Sequence, residues 1–178
     1  MKRGLILAAF FILFQSSPLW AEVLSIPCAA LFPKDHNVEY DCNGARLVTA
    51  NASLQVFTAP VLLPSGSSIS SFQLEAADDS GGEFGGYVKL ELLGARYNAL
   101  SFVKTIQTSG PDAPGDIRID QVIDPPITID NSEYSYHISV SLLNGAGGVY
   151  STWFFKARIE YTPPSSAQSK TVVVPLFN

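Results

Sequence analysis

Two cysteines, Cys28 and Cys42, stand early in the chain with His36 between them and Asp35 and Asp41 close by. Residues of these types can hold a metal, act as reactive thiols or form a disulfide. The C-x13-C spacing matches no zinc-site pattern. A bridge between the two would close a loop of about fifteen residues, worth roughly 3 kcal/mol in the chain-entropy model. A disulfide is therefore the first expectation, with a metal pair and free thiols as the alternatives.

Asp78, Asp79 and Glu83 share a glycine-rich stretch, and Asp112 and Asp116 share another. Hard cations want flexible oxygen ligands, so Asp78, Asp79 and Glu83 are candidate calcium ligands, and calcium is the one cofactor the sequence suggests. Neither stretch has EF-hand spacing, and Asp and Gly are also ordinary turn residues.

Catalytic constellations are harder to assemble. The histidines are His36 and His137, and no G-x-S-x-G elbow is present. A hydrolase working through an acidic pair needs two carboxylates facing each other across a cleft. With 16 acids in the chain, chance pairs are easy to find and none stands out, so no catalytic residue is named. The glycine stretches at 81–86 and 145–148 lead into strands rather than helices. They lack the helix N-terminus that a phosphate loop needs, and both are expected to be hairpin loops. Tyr97, Tyr150 and Phe154 fall near loops or on outward phases, where flat rings could form a platform for a glycan.

These residues must be positioned by strands. Between 134 and 142, Tyr134, Tyr136, Ile138, Val140 and Leu142 alternate with Ser135, His137, Ser139 and Ser141. A period of two puts the first set in a core and the second outside. Between 153 and 161, Trp153, Phe155, Ala157, Ile159 and Tyr161 are expected inside, and Phe154, Lys156, Arg158 and Glu160 outside. Phe72, Leu74 and Ala76 alternate in the same way, as do Val88, Leu90 and Leu92. Ile69 is out of phase with its strand, which predicts a bulge near Ser70-Ser71. Leu100, Phe102 and Ile106 share a phase with Lys104, which predicts either a bend or a lysine at a wet rim. Ile117 and Ile119 mark another strand, and Leu47, Leu54 and Val56 one or two more. Turn residues such as Pro64-Ser65-Gly66, Pro125-Pro126 and Asp130-Asn131 separate these runs. No stretch after residue 22 shows a 3.6-residue period. The expected fold is all-β, an antiparallel β-sandwich of jelly-roll-like form, with a closed barrel as the alternative.

The ends point to export. Lys2 and Arg3 precede an apolar run over 4–14, Pro18 breaks it, and Ala21 offers a cleavage position before Glu22. That is the layout of a secretory signal peptide. The run is short of the ~20 apolar residues of a membrane-spanning helix, and Pro27 before Cys28 argues against lipoprotein processing. The expected organisation is a signal peptide at 1–21, a sandwich domain at 22–162, a polar linker at 163–170 and a β-prone segment at 171–178. The formal charge of -5 becomes about -7 without Lys2 and Arg3, which does not suit nucleic acid.

Three stretches are familiar when taken together. They are Ile26-Pro27-Cys28-Ala29-Ala30-Leu31-Phe32-Pro33, then Ala59-Pro60-Val61-Leu62-Leu63-Pro64-Ser65-Gly66, and Asp130-Asn131-Ser132-Glu133-Tyr134-Ser135-Tyr136 with the later Ala157-Arg158-Ile159-Glu160-Tyr161-Thr162-Pro163. In these the chain resembles uncharacterised secreted bacterial β-sandwich proteins of unknown function. The resemblance implies export and a sandwich fold and carries over no site residue. The functional expectation is a secreted or periplasmic, non-enzymatic domain that binds or is structural at the cell surface. Its partner would be a glycan or a surface protein. The alternative is a secreted hydrolase using an acidic pair.

Overall fold

Eleven strands carry the described chain: β1 (Glu22–Pro27), β2 (Phe32–Pro33), β3 (Tyr40–Cys42), β4 (Leu47–Thr49), β5 (Gln55–Pro60), β6 (Ser68–Asp78), β7 (Tyr87–Arg96), β8 (Ala99–Gln107), β9 (Asp116–Thr128), β10 (Ser135–Leu143) and β11 (Thr152–Thr162). The structure is a computed structural model. It describes residues 20–43, 45–50, 53–79, 85–96, 99–108, 116–145 and 151–165, without the side chains of 101–103 and 116. Residues 1–19 of the expected signal peptide, residues 166–170 of the linker and the segment 171–178 lie outside the described residues.

The strands form two antiparallel sheets. Sheet A has the order β3-β4-β11-β6-β9, with β1 also pairing β11, and sheet B has the order β2-β5-β10-β7-β8. From β5 onward the chain passes between the sheets at almost every connection, the alternation a jelly roll requires. Only β7 and β8 are successive partners in one sheet in that part of the chain. The connections from β6 to β7 and from β10 to β11, whose sequences carry the glycine stretches at 81–86 and 145–148, therefore lead from one sheet to the other and do not close the hairpins that their composition suggested.

The core lies between the inner faces. Ile138, Val140 and Leu142 of β10, Val88, Leu90 and Leu92 of β7 and Phe72, Leu74 and Ala76 of β6 are all fully buried, as their alternation requires. Ile69 is fully buried too. Register shifts fall between Ile69 and Ser71 toward β9 and between Glu160 and Tyr161 toward β11, so the bulge expected at Ser70-Ser71 is present. A further irregularity lies where Leu92 faces Lys104 and Leu93 faces Phe102. This is the bend anticipated at Lys104. Leu100 is consequently exposed while Ile106 is buried, so these two do not share a face. In β5 the inward residues are Phe57 and Ala59, whereas Leu54 is exposed.

β11 departs furthest from expectation. Phe154 faces Leu47 of β4 and Ala76 of β6, and all three side chains are fully buried. The next pair is Lys156 with Glu75, which leaves Phe155 as an extra residue in the ladder. One such bulge reverses the facing of everything before it. Trp153 is half-buried on the outer face with the Arg46 guanidinium 5.5 Å from its ring centroid, and Phe155 is half-buried. Beyond the bulge, Ala157 and Ile159 are buried as expected.

The disulfide joins Cys28, in a 3-10 turn after β1, to Cys42 in β3, with Cα atoms 6.0 Å apart. β1 covers Lys156 to Tyr161 of β11, and β4, the partner of β3, meets the same strand at Phe154. The bridge ties together the two segments that share one edge of β11.

Candidate functional site

The candidate site is a cleft of about 510 Å3 at one rim of the sandwich. One wall is the β5–β6 connection, Pro60, Val61, Leu62, Leu63 and Pro64; the other is Asn131, Tyr134, Ser135 and Tyr136, leading into β10. Val61 and Leu63 turn into the core, which forces Leu62 between them outward to 82% exposure. Prolines at both ends of this wall fix the backbone angle φ and hold it extended.

The walls are held together by their backbones. Val61 N–H donates to Tyr136 C=O (2.9 Å), Gly66 N–H to Ile129 C=O (2.7 Å) and Ile129 N–H to Ser67 C=O (2.8 Å). Gly66 sits at φ +85°, in the left-handed region that glycine enters without strain, and the Pro64-Ser65-Gly66-Ser67 turn depends on it. Asn131 Nδ2 donates to Leu63 C=O at 2.8 Å, and its backbone N–H to Ser65 Oγ at 3.2 Å. Across the turn, the Asp130 carboxylate accepts from Ser132 Oγ (2.6 Å) and Ser132 N–H (3.0 Å). These bonds from Ser132 hold the Asp130 carboxyl below its ordinary value of 3.8.

Tyr134 gives the cleft its aromatic surface, and Tyr136 beneath it is buried in the core at 8% exposure. Their ring centroids lie 6.1 Å apart, tilted by 46°. The Tyr136 hydroxyl accepts from Asp130 N–H at 3.2 Å. Tyr134 is half-buried under Arg96, whose guanidinium is 5.9 Å from the ring centroid and pairs with Glu133 at 2.5 Å. Among the described residues, those lining the cleft carry no carboxylate, imidazole or thiol. What they offer a ligand is the half-buried Tyr134 ring, the exposed Leu62 and proline side chains, and the carboxamide oxygen of Asn131, whose amide nitrogen is bonded to Leu63 C=O.

The residues singled out in the sequence lie elsewhere. Phe154, expected as an outward platform residue, is fully buried because of the bulge at Phe155, and it presents no ring face to a ligand. Tyr97 and Tyr150 lie outside the described residues. Asp78 is fully buried at the end of β6, where it accepts a hydrogen bond from Thr108 Oγ1 at 2.7 Å. Thr108 Oγ1 in turn accepts from Val88 N–H at 3.0 Å, so this carboxylate joins the ends of β6, β7 and β8. Asp79 is exposed and Glu83 lies outside the described residues. Among the described residues no three His, Cys, Asp or Glu side chains gather as a metal site. His137 lies on the outer face of sheet B opposite Pro60 and Leu93, and burial pushes its pKa below the ordinary 6.5. His36 lines a separate, similarly open pocket of about 460 Å3 with Lys34 and Asp35.

The cleft itself escaped sequence reasoning. Alternation places Tyr134 and Tyr136 in the core; Tyr136 is buried there, and Tyr134 packs against it, partly exposed. The sequence marks Pro64-Ser65-Gly66 as a turn and gives no role to the apolar residues before it. The available signal was an aromatic pair next to Asp130-Asn131 and an unusually apolar loop elsewhere. Nothing local links the two.

The fold and site together define an antiparallel β-sandwich with a preformed apolar cleft at one rim. No family model matches the chain, and no curated protein does. Among solved structures, the chain is similar to the C-terminal CBM6 of LamC, a marine laminarinase from Zobellia galactanivorans, at 14% identity over 78% of this chain and 98% of that one, with a TM-score of 0.49. It is also similar to a cyclase from Fischerella sp. TAU (16% identity, 81% and 75% covered, TM-score 0.43). A family 11 carbohydrate-binding module from Clostridium thermocellum matches at 7% identity (85% and 92% covered, TM-score 0.38). Similarities at this level assign nothing to this chain.

Proposed function

We propose that this chain is an exported, non-enzymatic recognition module whose rim cleft takes a neutral sugar ring of a glycan. The observation that carries the reading is the combination in the cleft of the half-buried Tyr134 ring, backed by the buried Tyr136, with the Pro60-to-Pro64 wall and the Asn131 carboxamide. A pyranose has a flat C–H face that suits such a ring and aliphatic wall, and an equatorial rim of hydroxyls that suits a carboxamide. The cross-wall hydrogen bonds support it further, because a site that is already ordered loses little conformational freedom on binding. Export rests on the N-terminal sequence and agrees with the disulfide, which oxidising compartments permit.

The test is calorimetric titration of residues 22–178, disulfide intact, with oligosaccharides cut from β-glucan, galactan, mannan and xylan. At least one should bind saturably, and Tyr134→Ala should abolish that binding at a stability cost of about 1–2 kcal/mol, leaving the domain folded at the titration temperature. Absence of saturable binding to every neutral glycan, or binding indifferent to Tyr134→Ala, would overturn the reading.

A further inference from the structure

β9 ends sheet A: among the described residues it pairs with β6 alone. Its regular ladder runs from Asp116 opposite Ala77 to Val122 opposite Ser71, seven residues. Beyond that come a register shift and then Pro125-Pro126, which have no N–H to give to a ladder. Val122 is 75% exposed on the outer face. On the inner face, Ile117 and Ile119 stay half-buried, although their ladder partners Ala76 and Leu74 are fully buried. The core is therefore open along this edge. A seven-residue strand edge beside half-covered isoleucines is an acceptor for another strand.

The chain's own path points to the occupant. After β11, Thr162 pairs with Ser68, at the start of β6. Pro164 then lies against Gly66, whose N–H is bonded to Ile129, the residue after β9. The described chain thus ends, at Ser165, beside the C-terminal end of β9. A chain that continues along the β9 edge from there runs antiparallel to it. From 165 to 171 is six steps, up to about 20 Å of extended chain. The irregular stretch from 128 back to 122 lies opposite only Ser68 to Ser71 of β6, about 10 Å, so five linker residues are long enough to pass it and to cross to the far side of β9. Thr171-Val172-Val173-Val174-Pro175-Leu176-Phe177 then matches the seven residues of the regular ladder in length.

We propose that residues 171–177 add to the free edge of β9 as an antiparallel strand within the same molecule. With Thr171 opposite Val122, Val172, Val174 and Leu176 fall on the inner face and extend the core over Ile119 and Ile117. Val173 falls on the outer face. Pro175 suits a strand that forms the new edge, provided its missing N–H faces solvent. The proposal is independent of the rim cleft, which is formed by the β5–β6 connection and the start of β10.

Hydrogen exchange read by mass spectrometry tests it on residues 22–178, on a form ending at 165, and on the variants Val174→Lys and Val173→Lys. In the full chain the amides of 117–121 should exchange at least ~10-fold more slowly than in the shortened form. Val174→Lys should abolish that protection, Val173→Lys should preserve it, and the protein should remain monomeric over a hundredfold range of concentration. Equal exchange with and without the segment would overturn the proposal. So would protection that appears only in a dimer, or equal effects of the two lysine variants.

Discussion

The outer face of sheet A and the rim cleft use polar side chains in opposite ways. On sheet A, Lys156 and Arg158 both reach Glu75, at 3.0 and 3.3 Å, Arg118 reaches Asp120 at 3.5 Å, and the Gln73 amide donates to Asp120. Charges there satisfy one another across neighbouring strands. At the cleft the polar groups are spent on backbone: Asn131 holds Leu63, the Tyr136 hydroxyl receives Asp130 N–H, and Ser65 receives Asn131 N–H. The first arrangement makes a flat surface that water can also solvate. The second holds a concave shape open and leaves the Tyr134 ring and aliphatic groups lining it. If the cleft binds as proposed, preorganised shape is what distinguishes it from the merely polar face of sheet A.

The comparison can be broken most severely beneath it. Phe154→Ala should destabilise the protein by about 3–5 kcal/mol, since it empties a fully buried site against Leu47 and Ala76. Trp153→Ala, one residue away on the outer face, should cost about 1–2 kcal/mol, a half-buried ring losing less contact. Denaturant melts of the two variants check this, and equal losses would show that the bulge at Phe155 is misplaced.

Replacing both Cys28 and Cys42 by Ala should cost about 3 kcal/mol, the loop-closure contribution. Intact-mass measurement of the exported protein with and without reductant should show the bridge directly. If the cleft is held by its own bonds, this variant should keep the glycan affinity of the parent despite its lower melting point.

The two polar surfaces should then separate. Asn131→Ala should lower stability by about 1 kcal/mol through the lost bond to Leu63 C=O, and should also weaken ligand binding by loosening the wall. Glu75→Gln should cost no more than about 1 kcal/mol, with a loss that shrinks as salt is added, and should leave binding untouched. A Glu75→Gln variant with impaired binding would move the site to sheet A.

The smallest effect concerns pH. Burial disfavours the protonated form of His137 in the folded state. The unfolded chain therefore takes up the proton more readily. This residue's contribution is fully present above about pH 6.5 and declines as pH falls below it. The decline should vanish in His137→Gln, as read from melting temperatures between pH 5 and 8.

How much of this was legible in the sequence differs from strand to strand. β10 lies between β5 and β7 in unbroken register, so alternation alone places Ile138, Val140 and Leu142 in the core. Ser139 and Ser141, expected outside, are nonetheless buried, because a central strand is covered by its neighbours on both edges. β11 carried an equally plain pattern, and half of it was misread. A bulge needs a partner strand to be defined, and Trp153-Phe154-Phe155 offers three large apolar residues with no local reason to choose among them. The platform assignment of Phe154 failed for that reason. At Ile69 a bulge was legible, because there the apolar residue itself broke phase.

Composition and short-range pattern determined the all-β class, the two-sided strands and the pairing of two early cysteines. Each is a property of residues near in sequence or few in number: period two, turn residues between runs, one possible cysteine partner. Only the tertiary structure decided which side of β11 faces the core, and that the connections carrying the glycine stretches lead from one sheet to the other. It also placed Asp78 inside, bonded to Thr108 thirty residues away, and set an apolar loop at 60–64 against a turn at 130–134. These depend on contacts between distant segments, whose register is chosen by burying the whole core at once, and no local stretch of the sequence contains that choice.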